Sequence, residues 1–161
     1  MGLMMVGFFK PGVPQLKAGE TLQAAPALQV RSVNGQVLDL QQQKGKVIFV
    51  NFWATWCPPC LAELPSVNAL YQKVKSNSNI VFVTIDVDND LQKSSQFLQK
   101  NGYTLPLYGG DVHNTLEQLH DDGIPTTLVI DRQGNVVFNH LNRANYDDAK
   151  FEQFLNDLSK Q

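Results

Sequence analysis

The chain of 161 residues has few of the features that mark specialised classes of protein. It contains two cysteines and three histidines, its formal net charge is −2, and only 17% of its residues are charged. With 43% hydrophobic residues, this composition is ordinary for one globular domain and argues against disorder. Lysine and arginine are scattered rather than clustered, so we expect no nucleic-acid partner and no electrostatic attraction to an anionic membrane.

The scarcity of cysteine and histidine excludes two kinds of site. Both cysteines lie in one short motif, Cys-Pro-Pro-Cys at residues 57–60, so none remain for a dispersed disulfide framework. A structural zinc site requires four ligands. No second cysteine pair exists, and His113, His120 and His140 lie in separate segments, so no metal site is expected.

The chain also lacks a long hydrophobic run at its start. The apolar residues 2–9 are far short of the roughly 18–20 residues that span a bilayer, and they lack a basic lead-in and a small-residue cleavage site. Val6 stands where a myristoylation signal has Ser or Thr. Residues 1–20 are therefore either an ordinary extended lead-in or the remnant of a longer anchor or signal, and the domain proper is expected at 21–161.

Alternating strand and helix patterns predict an α/β fold. Asn34-Gly35 between two apolar runs predicts a hairpin, and the apolar run at residues 47–53 predicts a strand buried on both faces. A helix from Pro58, kinked at Pro65, and a second strand at 80–87 complete a parallel pair. The remaining predictions are a helix ending near residues 101–102, a short helix at 113–120, a hairpin at 126–138 and a C-terminal helix carrying Tyr146 and Phe151.

Three aspartates follow the second predicted strand at alternate positions. Asp86, Asp88 and Asp90 have the spacing of a calcium loop, but the glycine and the twelfth-position glutamate of an EF-hand are absent. We therefore expect a solvated strand end here.

The Cys-x-x-Cys motif lies where the buried strand gives way to a helix. The first sulfur is then close to the unpaired N–H groups of the helix start, which favour a thiolate, the nucleophile in disulfide exchange. Cys57 is the candidate attacking residue, and Cys60, three residues further along the same turn, is placed to resolve a mixed disulfide. Pro58 and Pro59 suit the first helical turn and stiffen the loop between the sulfurs.

Two segments carry a resemblance to a known family. Residues 51–60, Asn-Phe-Trp-Ala-Thr-Trp-Cys-Pro-Pro-Cys, resemble the active-site segment of thioredoxin-like proteins, specifically the TlpA/ResA-type thiol–disulfide oxidoreductases, and residues 123–127 resemble their second signature. The resemblance implies a thioredoxin-like three-layer α/β/α sandwich with a mixed sheet, an N-terminal β-hairpin and a central helical insertion between Asp86 and Pro125.

The resemblance also implies roles for residues around the cysteines. Pro125 is expected to be cis and to lie against the cysteine pair, which leaves the backbone of Ile124 free to pair with an extended substrate. Trp56 and Pro58 are expected to contact the substrate, whereas Trp53 is expected to be a core residue.

Two positions depart from ordinary thioredoxins. Asn51 stands where they have a buried aspartate, and Phe82 where they have the nearby lysine, so that proton route is missing. We assign structural support to Asn51 and Pro59. Glu63 matches a glutamate beside the thiols in ResA-type proteins and is the candidate proton carrier for Cys60; the alternative is a solvated acid stabilised by the helix dipole.

The expected function is disulfide reduction in extracytoplasmic proteins, as in cytochrome c maturation or general thiol maintenance. The couple is the Cys57–Cys60 disulfide itself, so no further cofactor is expected. The expected partners are a disulfide-bearing protein and an electron donor that is membrane-bound or thioredoxin-like, and the chain is expected to be a periplasmic or otherwise extracytoplasmic monomer. Two alternatives stay open: a thioredoxin-fold copper chaperone, since paired thiolates suit Cu(I), and a peroxiredoxin-type peroxidase.

Overall fold

The computed structural model describes residues 21–119 and 123–161. Its strands are β1 (Gln23–Ala24), β2 (Gln29–Ser32), β3 (Val37–Asp39), β4 (Val47–Trp53), β5 (Ile80–Asp86), β6 (Leu107–Gly109), β7 (Thr126–Ile130) and β8 (Asn135–Leu141). Its helices are α1 (Pro58–Val74), α2 (Leu91–Lys100), α3 (His113–Gln118) and α4 (Ala149–Leu158), with a 3-10 helix at Leu40–Gln43. The N-terminal lead-in, and with it the question of an anchor, lies outside the described residues.

The described strands form one mixed sheet in the order β1-β8-β7-β4-β5-β6-β2-β3. The pairs β4–β5 and β5–β6 are parallel, and the other neighbours are antiparallel. The predicted hairpin is confirmed as β2–β3, with Gly35 at a φ of +83° in its turn. The segment between β5 and β7 supplies α2, β6 and α3, and β6 joins the hairpin to the sheet. The predicted sandwich with a central insertion is therefore confirmed.

Strand β4 lies at the centre of the sheet and is buried at all seven positions. Its side chains alternate between two cores. Phe49 and Trp53 belong to the core shared with α1, α2 and α4, whereas Val50 and Phe52 belong to the core on the opposite face, with residues of α3 and the 3-10 helix nearby. Burying one such side chain contributes about 1.5–3 kcal/mol, so the strand that leads to the cysteines is firmly held.

An aromatic cluster fixes the C-terminal part of the chain against the sheet. Phe82, which stands where ordinary thioredoxins are expected to have a lysine, stacks on Phe49 with ring centroids 4.5 Å apart. Tyr146 meets Phe49 edge to face at 5.4 Å and Phe151 at 5.0 Å. Such pairs contribute beyond their buried area, and they hold the segment before α4 against β4.

Helix α1 begins directly after Cys57, with Pro58 and Pro59 in its first turn, and continues through Pro65. Prolines suit the first turn because the N–H groups there have no helical partner. The kink at Pro65 stays a prediction. Among the described residues, no helix combines the length and apolar character that crossing a membrane requires.

Two sequence predictions are wrong in detail. Tyr146 lies before α4, not in it, and Asp148 caps that helix by accepting hydrogen bonds from the N–H groups of Lys150 and Phe151, each at 3.1 Å. Asp86 is not solvated: it is buried, and its carboxylate accepts the N–H groups of Asp88 and Asp90. The buried carboxylate therefore shapes the turn that leads into α2.

Candidate active site

The two cysteines form a disulfide at the start of α1. Cys57 precedes the helix, and its Sγ accepts the N–H of Cys60 at 3.3 Å. The same Sγ lies 3.9 Å from the carbonyl oxygen of Ile124. Cys57 is 4% exposed and Cys60 is 1% exposed, so neither sulfur lies on an open surface.

A cavity of about 540 Å³ opens beside the disulfide, and only one of the two cysteines lines it. Cys57 lines the cavity and Cys60 does not, so a group that enters the cavity would meet Sγ of Cys57. The other lining residues come from the active-site segment, the end of β5, α3 and the turn before β7: Trp56, Pro58, Pro59, Val87, His113, Leu116, Glu117, Gly123 and Ile124.

Trp56 is an exposed aromatic residue held in place at the edge of this cavity. It is 62% exposed, and its Nε1 donates a hydrogen bond of 2.6 Å to Oδ2 of Asp88. Asp88 belongs to the turn that the buried Asp86 organises through bonds of 2.9 and 3.0 Å to the N–H groups of residues 88 and 90. The turn after β5 therefore orients the indole beside Cys57. Trp53, in contrast, is a fully buried core residue, as predicted.

The peptide bond between Ile124 and Pro125 is cis, as the resemblance implied. Ile124 lines the cavity, whereas Pro125 is buried and does not. The carbonyl of Pro125 accepts the N–H of Asn142 at 2.9 Å, which ties this turn to the end of β8. Substrate contact by Ile124 and Pro125 stays a prediction.

Glu63 lies on the inner side of the first turns of α1 and is 1% exposed. Its Oε1 accepts Nδ2 of Asn51 at 2.7 Å, and its Oε2 accepts the N–H of Ala144 at 2.9 Å. Burial raises the pKa of Glu63 from 4.5 to about 7, although the Ala144 N–H, the Asn51 amide and Arg143 each act to lower it. The solvated-acid interpretation is therefore wrong.

The inner polar cluster, which we define as Glu63, Asn51, Thr127 and Tyr146, brings together side chains from α1, β4, β7 and the segment before α4. Nδ2 of Asn51 also donates to Oγ1 of Thr127 at 2.9 Å, so β4 is linked to α1 and β7 by one amide. The Tyr146 hydroxyl is buried, and no residue in the described part of the chain makes a hydrogen bond to it. Burial and the nearby Glu63 raise the pKa of Tyr146, so the phenol stays neutral.

The residues predicted from the sequence thus fall into two groups. Trp56, Cys57, Pro58, Pro59 and Ile124 meet at the cavity, and Asn51 and Glu63 lie together beneath it. Among residues 21–119 and 123–161, no three His, Cys, Asp or Glu side chains come together as a metal site.

Several site residues were missed by sequence reasoning. Asp88 was seen only as part of an acidic run, His113 only as a possible metal ligand, and Thr127 only as part of a signature. The backbone N–H of Ala144 carries no side-chain signal, and it lies 81 residues from Glu63 in the chain. Leu116 and Glu117 are ordinary residues of a short helix, and the sequence offered no sign of their place at the cavity.

The fold and the site together define a thioredoxin-fold protein with a Cys-x-x-Cys disulfide facing a cis-proline turn. The chain belongs to the Redoxin family, whose model matches residues 17–155. This finding confirms the thioredoxin-like resemblance noted in the sequence.

Individual relatives agree with this family. The chain is 32% identical over 113 residues to the thiol-disulfide oxidoreductase ResA of Bacillus thuringiensis strain Al Hakam, covering 70% of this chain and 65% of that protein. It is 31% identical over 113 residues to ResA of Bacillus subtilis strain 168, covering 70% and 63%. The chain therefore spans less than two thirds of the length of these relatives.

A solved structure shows the same architecture over nearly the whole domain. A crystal structure of a thiol:disulfide interchange protein of the thioredoxin family from Chlorobium tepidum TLS matches with a TM-score of 0.71 and 26% identity. The match covers 89% of this chain and 99% of that one.

Proposed function

We propose that the protein is a thiol–disulfide oxidoreductase that reduces disulfides of other proteins through Cys57 and Cys60. The observation that carries this proposal is a disulfide at a helix start with one sulfur facing a cavity and the other facing the interior. Similarity to the ResA proteins supports the same chemistry.

Cys57 is the attacking residue. In the reduced protein its sulfur lies at the N-terminal end of α1, where the N–H of Cys60 and the helix dipole stabilise a thiolate. The thiolate attacks one sulfur of a target disulfide, the S–S bond of the target breaks, and the other target sulfur leaves as a thiolate that takes up a proton. The product is a mixed disulfide between Cys57 and the target.

Cys60 completes the transfer from its buried position. It must lose its proton before it can attack Sγ of Cys57, and burial excludes bulk water from that step. Glu63 stands three residues further along α1, and side chains at this spacing are neighbours on one helix face. With a pKa of about 7, its carboxylate can accept the thiol proton near neutral pH. The new Cys57–Cys60 bond then releases the reduced target.

We assign target docking to the cavity. Trp56 and Ile124 line it beside Cys57, and, as the resemblance implies, the backbone of the cis-proline turn pairs with an extended segment of the target. We assign substrate contact to Trp56, Pro58, Ile124 and Pro125, and support to Asn51 and Pro59. The target is a disulfide-bearing protein outside the cytoplasm, and a membrane-bound or thioredoxin-like donor returns two electrons to the Cys57–Cys60 pair.

The test is reduction of insulin disulfides by the reduced protein, monitored by the precipitation of the released B chain. We expect turnover with a dithiol as electron source. Cu(I) affinity measured on the same sample tests the copper-carrier alternative, because tight Cu(I) binding without disulfide turnover would contradict the reductase assignment. Reduction of hydrogen peroxide by the reduced protein tests the peroxidase alternative. Peroxide turnover without disulfide turnover would likewise contradict the reductase assignment.

A further inference from the structure

The two polar atoms of the Asn51 side-chain amide differ in their hydrogen bonding. Its Nδ2 donates to Glu63 at 2.7 Å and to Thr127 at 2.9 Å, whereas its Oδ1 is buried and accepts from none of the described residues. Buried acceptors are rarely left without a donor, because the desolvation cost is not recovered. The observed orientation of the Asn51 amide therefore satisfies the hydrogen-bonding groups around it only under one condition.

That condition is an ionised Glu63. Both carboxylate oxygens then accept, Oε1 from Asn51 and Oε2 from the N–H of Ala144. Once the carboxyl is protonated, one of its oxygens becomes a donor. The Ala144 N–H faces Oε2 and is fixed by the backbone, so the proton belongs on Oε1. In the observed orientation this O–H would point at the N–H of the Asn51 amide, donor against donor.

An amide can remove this conflict without changing its charge. Rotation by about 180° exchanges the positions of Oδ1 and Nδ2 in nearly the same volume. The oxygen would then accept from the Glu63 carboxylic acid and also from the Thr127 hydroxyl, which carries a hydrogen of its own, and Nδ2 would move to the place that Oδ1 now occupies. No hydrogen bond to Glu63 is lost in either protonation state.

We propose that Asn51 is a proton-responsive positioning residue, whose side-chain amide rotates when Glu63 takes up a proton. In the reaction proposed above, on which the catalytic meaning of the rotation rests, the proton moves from Cys60 to Glu63 and the amide turns with it. A carboxylate at position 51 would instead compete for the same proton as a coupled pair.

The other groups near Glu63 do not take over this role. They come from α1, from β7 and from the segment between β8 and α4: Cys60, Thr127, Arg143, the Ala144 N–H and Tyr146. Arg143 is exposed and acts through its charge alone. Thr127 carries no charge that titrates, and Tyr146 stays neutral because burial raises its pKa.

The experiment is an NMR titration of the oxidised full-length protein without substrate. The Glu63 side-chain carbonyl carbon and the Asn51 side-chain amide are followed across neutral pH. We expect both to change with one midpoint, and we expect the contacts between the Asn51 amide protons and the Thr127 side chain to vanish below it. Unchanged Asn51 contacts while Glu63 titrates would overturn the proposal, as would a Glu63 that takes up no proton in this range.

The chain contains its own control for this measurement. Asn139 also has a buried Oδ1 to which no residue of 21–119 or 123–161 donates, and its Nδ2 donates to the carbonyl of Leu119 at 3.5 Å rather than to a carboxylate. Its amide signals should not follow the Glu63 midpoint. A common change of both asparagines would indicate a global rearrangement and would contradict a local rotation.

Two variants separate the rotation from other causes. In Glu63→Gln the pH response of the Asn51 amide should disappear, and its survival would assign the response to another group. In Asn51→Asp the two carboxyls should titrate as a pair, with apparent pKa values separated by more than about one unit, and an unshifted Glu63 midpoint would count against the proposal. Because no turnover is required, a failed rotation leaves the disulfide-exchange function standing, and an inactive protein leaves the rotation standing.

Discussion

The two sides of the disulfide differ in polarity and in solvent exposure. On its outer side, Cys57 faces a cavity bordered by Trp56, Ile124 and α3, with an exposed indole and walls that are mostly apolar apart from His113 and Glu117. On its inner side, Cys60 adjoins the helix face that carries the inner polar cluster around Glu63, which is closed to solvent. In the proposed mechanism, a recognition surface and a proton-handling interior are thus separated by a single S–S bond.

This difference fits the two steps of the proposed mechanism, attack on a target disulfide by Cys57 and resolution by Cys60. Apolar surface and a rigid aromatic residue favour transient contact with another chain, whereas a buried carboxyl with a raised pKa favours proton transfer near neutral pH. Placing both on one side would expose the carboxyl to water and return its pKa to the ordinary range. The separation makes the two sides independently testable.

The largest effect is expected from the sulfurs themselves. Cys57→Ser should abolish reduction of insulin disulfides, because only Cys57 lines the cavity. Cys60→Ser should instead accumulate a mixed disulfide on Cys57, visible as a mass increase that a reductant removes. Retained turnover in Cys57→Ser would contradict the assignment of the outer sulfur.

The inner side is tested by Glu63→Gln. Resolution of the mixed disulfide should slow by on the order of a hundredfold above pH 7, since a general base contributes about that much, while attack by Cys57 should change less. Stopped-flow measurement of both steps against pH checks this. An unchanged pH profile would remove Glu63 from the proton route and leave it a structural residue.

Glu63→Gln also tests the inner side through the pH dependence of the free energy of unfolding. Folding raises the pKa of Glu63 from 4.5 to about 7, so between these values the folded state holds a proton that the unfolded state has lost. Its contribution is therefore fully present below pH 4.5, falls by about 3 kcal/mol as the pH rises to 7, and is flat above. Urea unfolding of wild type and Glu63→Gln at both ends of this window should show that the wild type loses about 3 kcal/mol more than the variant as the pH rises.

The outer side is tested by Trp56→Ala. Truncation of an exposed aromatic at a contact surface costs more than about 1 kcal/mol in many interfaces, so kcat/KM for a protein disulfide should fall about tenfold. Reactivity toward a small disulfide should change little, because that substrate needs no docking surface. Equal losses with both substrates would show that Trp56 acts on the sulfur rather than on docking.

The smallest effect is expected at Asp88. Asp88→Ala removes the acceptor for Trp56 Nε1, and an exposed hydrogen bond of this kind is worth about 1 kcal/mol, so a loss of about threefold to fivefold in kcat/KM is expected. Asp88→Asn keeps an acceptor oxygen and is the matched control. If the two variants behave alike, the indole does not depend on this bond.

The parts of the fold that have a strong local signal could be predicted from the sequence. The run at residues 47–53 matched β4 at both ends because a strand buried on both faces leaves an unbroken apolar signal. The start of α1 followed from Pro58, and the hairpin from Asn34-Gly35. β1 and β6, with two and three residues, carry no such signal.

The candidate site divides in the same way. Cys57, Cys60 and Ile124 were found because their motifs are local in the chain. The burial of Asp86, the partner of Trp56 and the donor from Ala144 depend on contacts between distant segments, and Tyr146 was assigned to α4 because its apolar character fits the helical period. Tertiary packing, not local pattern, decides such residues.

The most direct test of the central claim is an equilibrium titration of the Cys57–Cys60 pair in glutathione buffers of increasing oxidising power, with the dithiol fraction measured by thiol alkylation and mass. A reversible two-electron transition between dithiol and disulfide is predicted. A pair that stays in one state in every buffer would contradict the account.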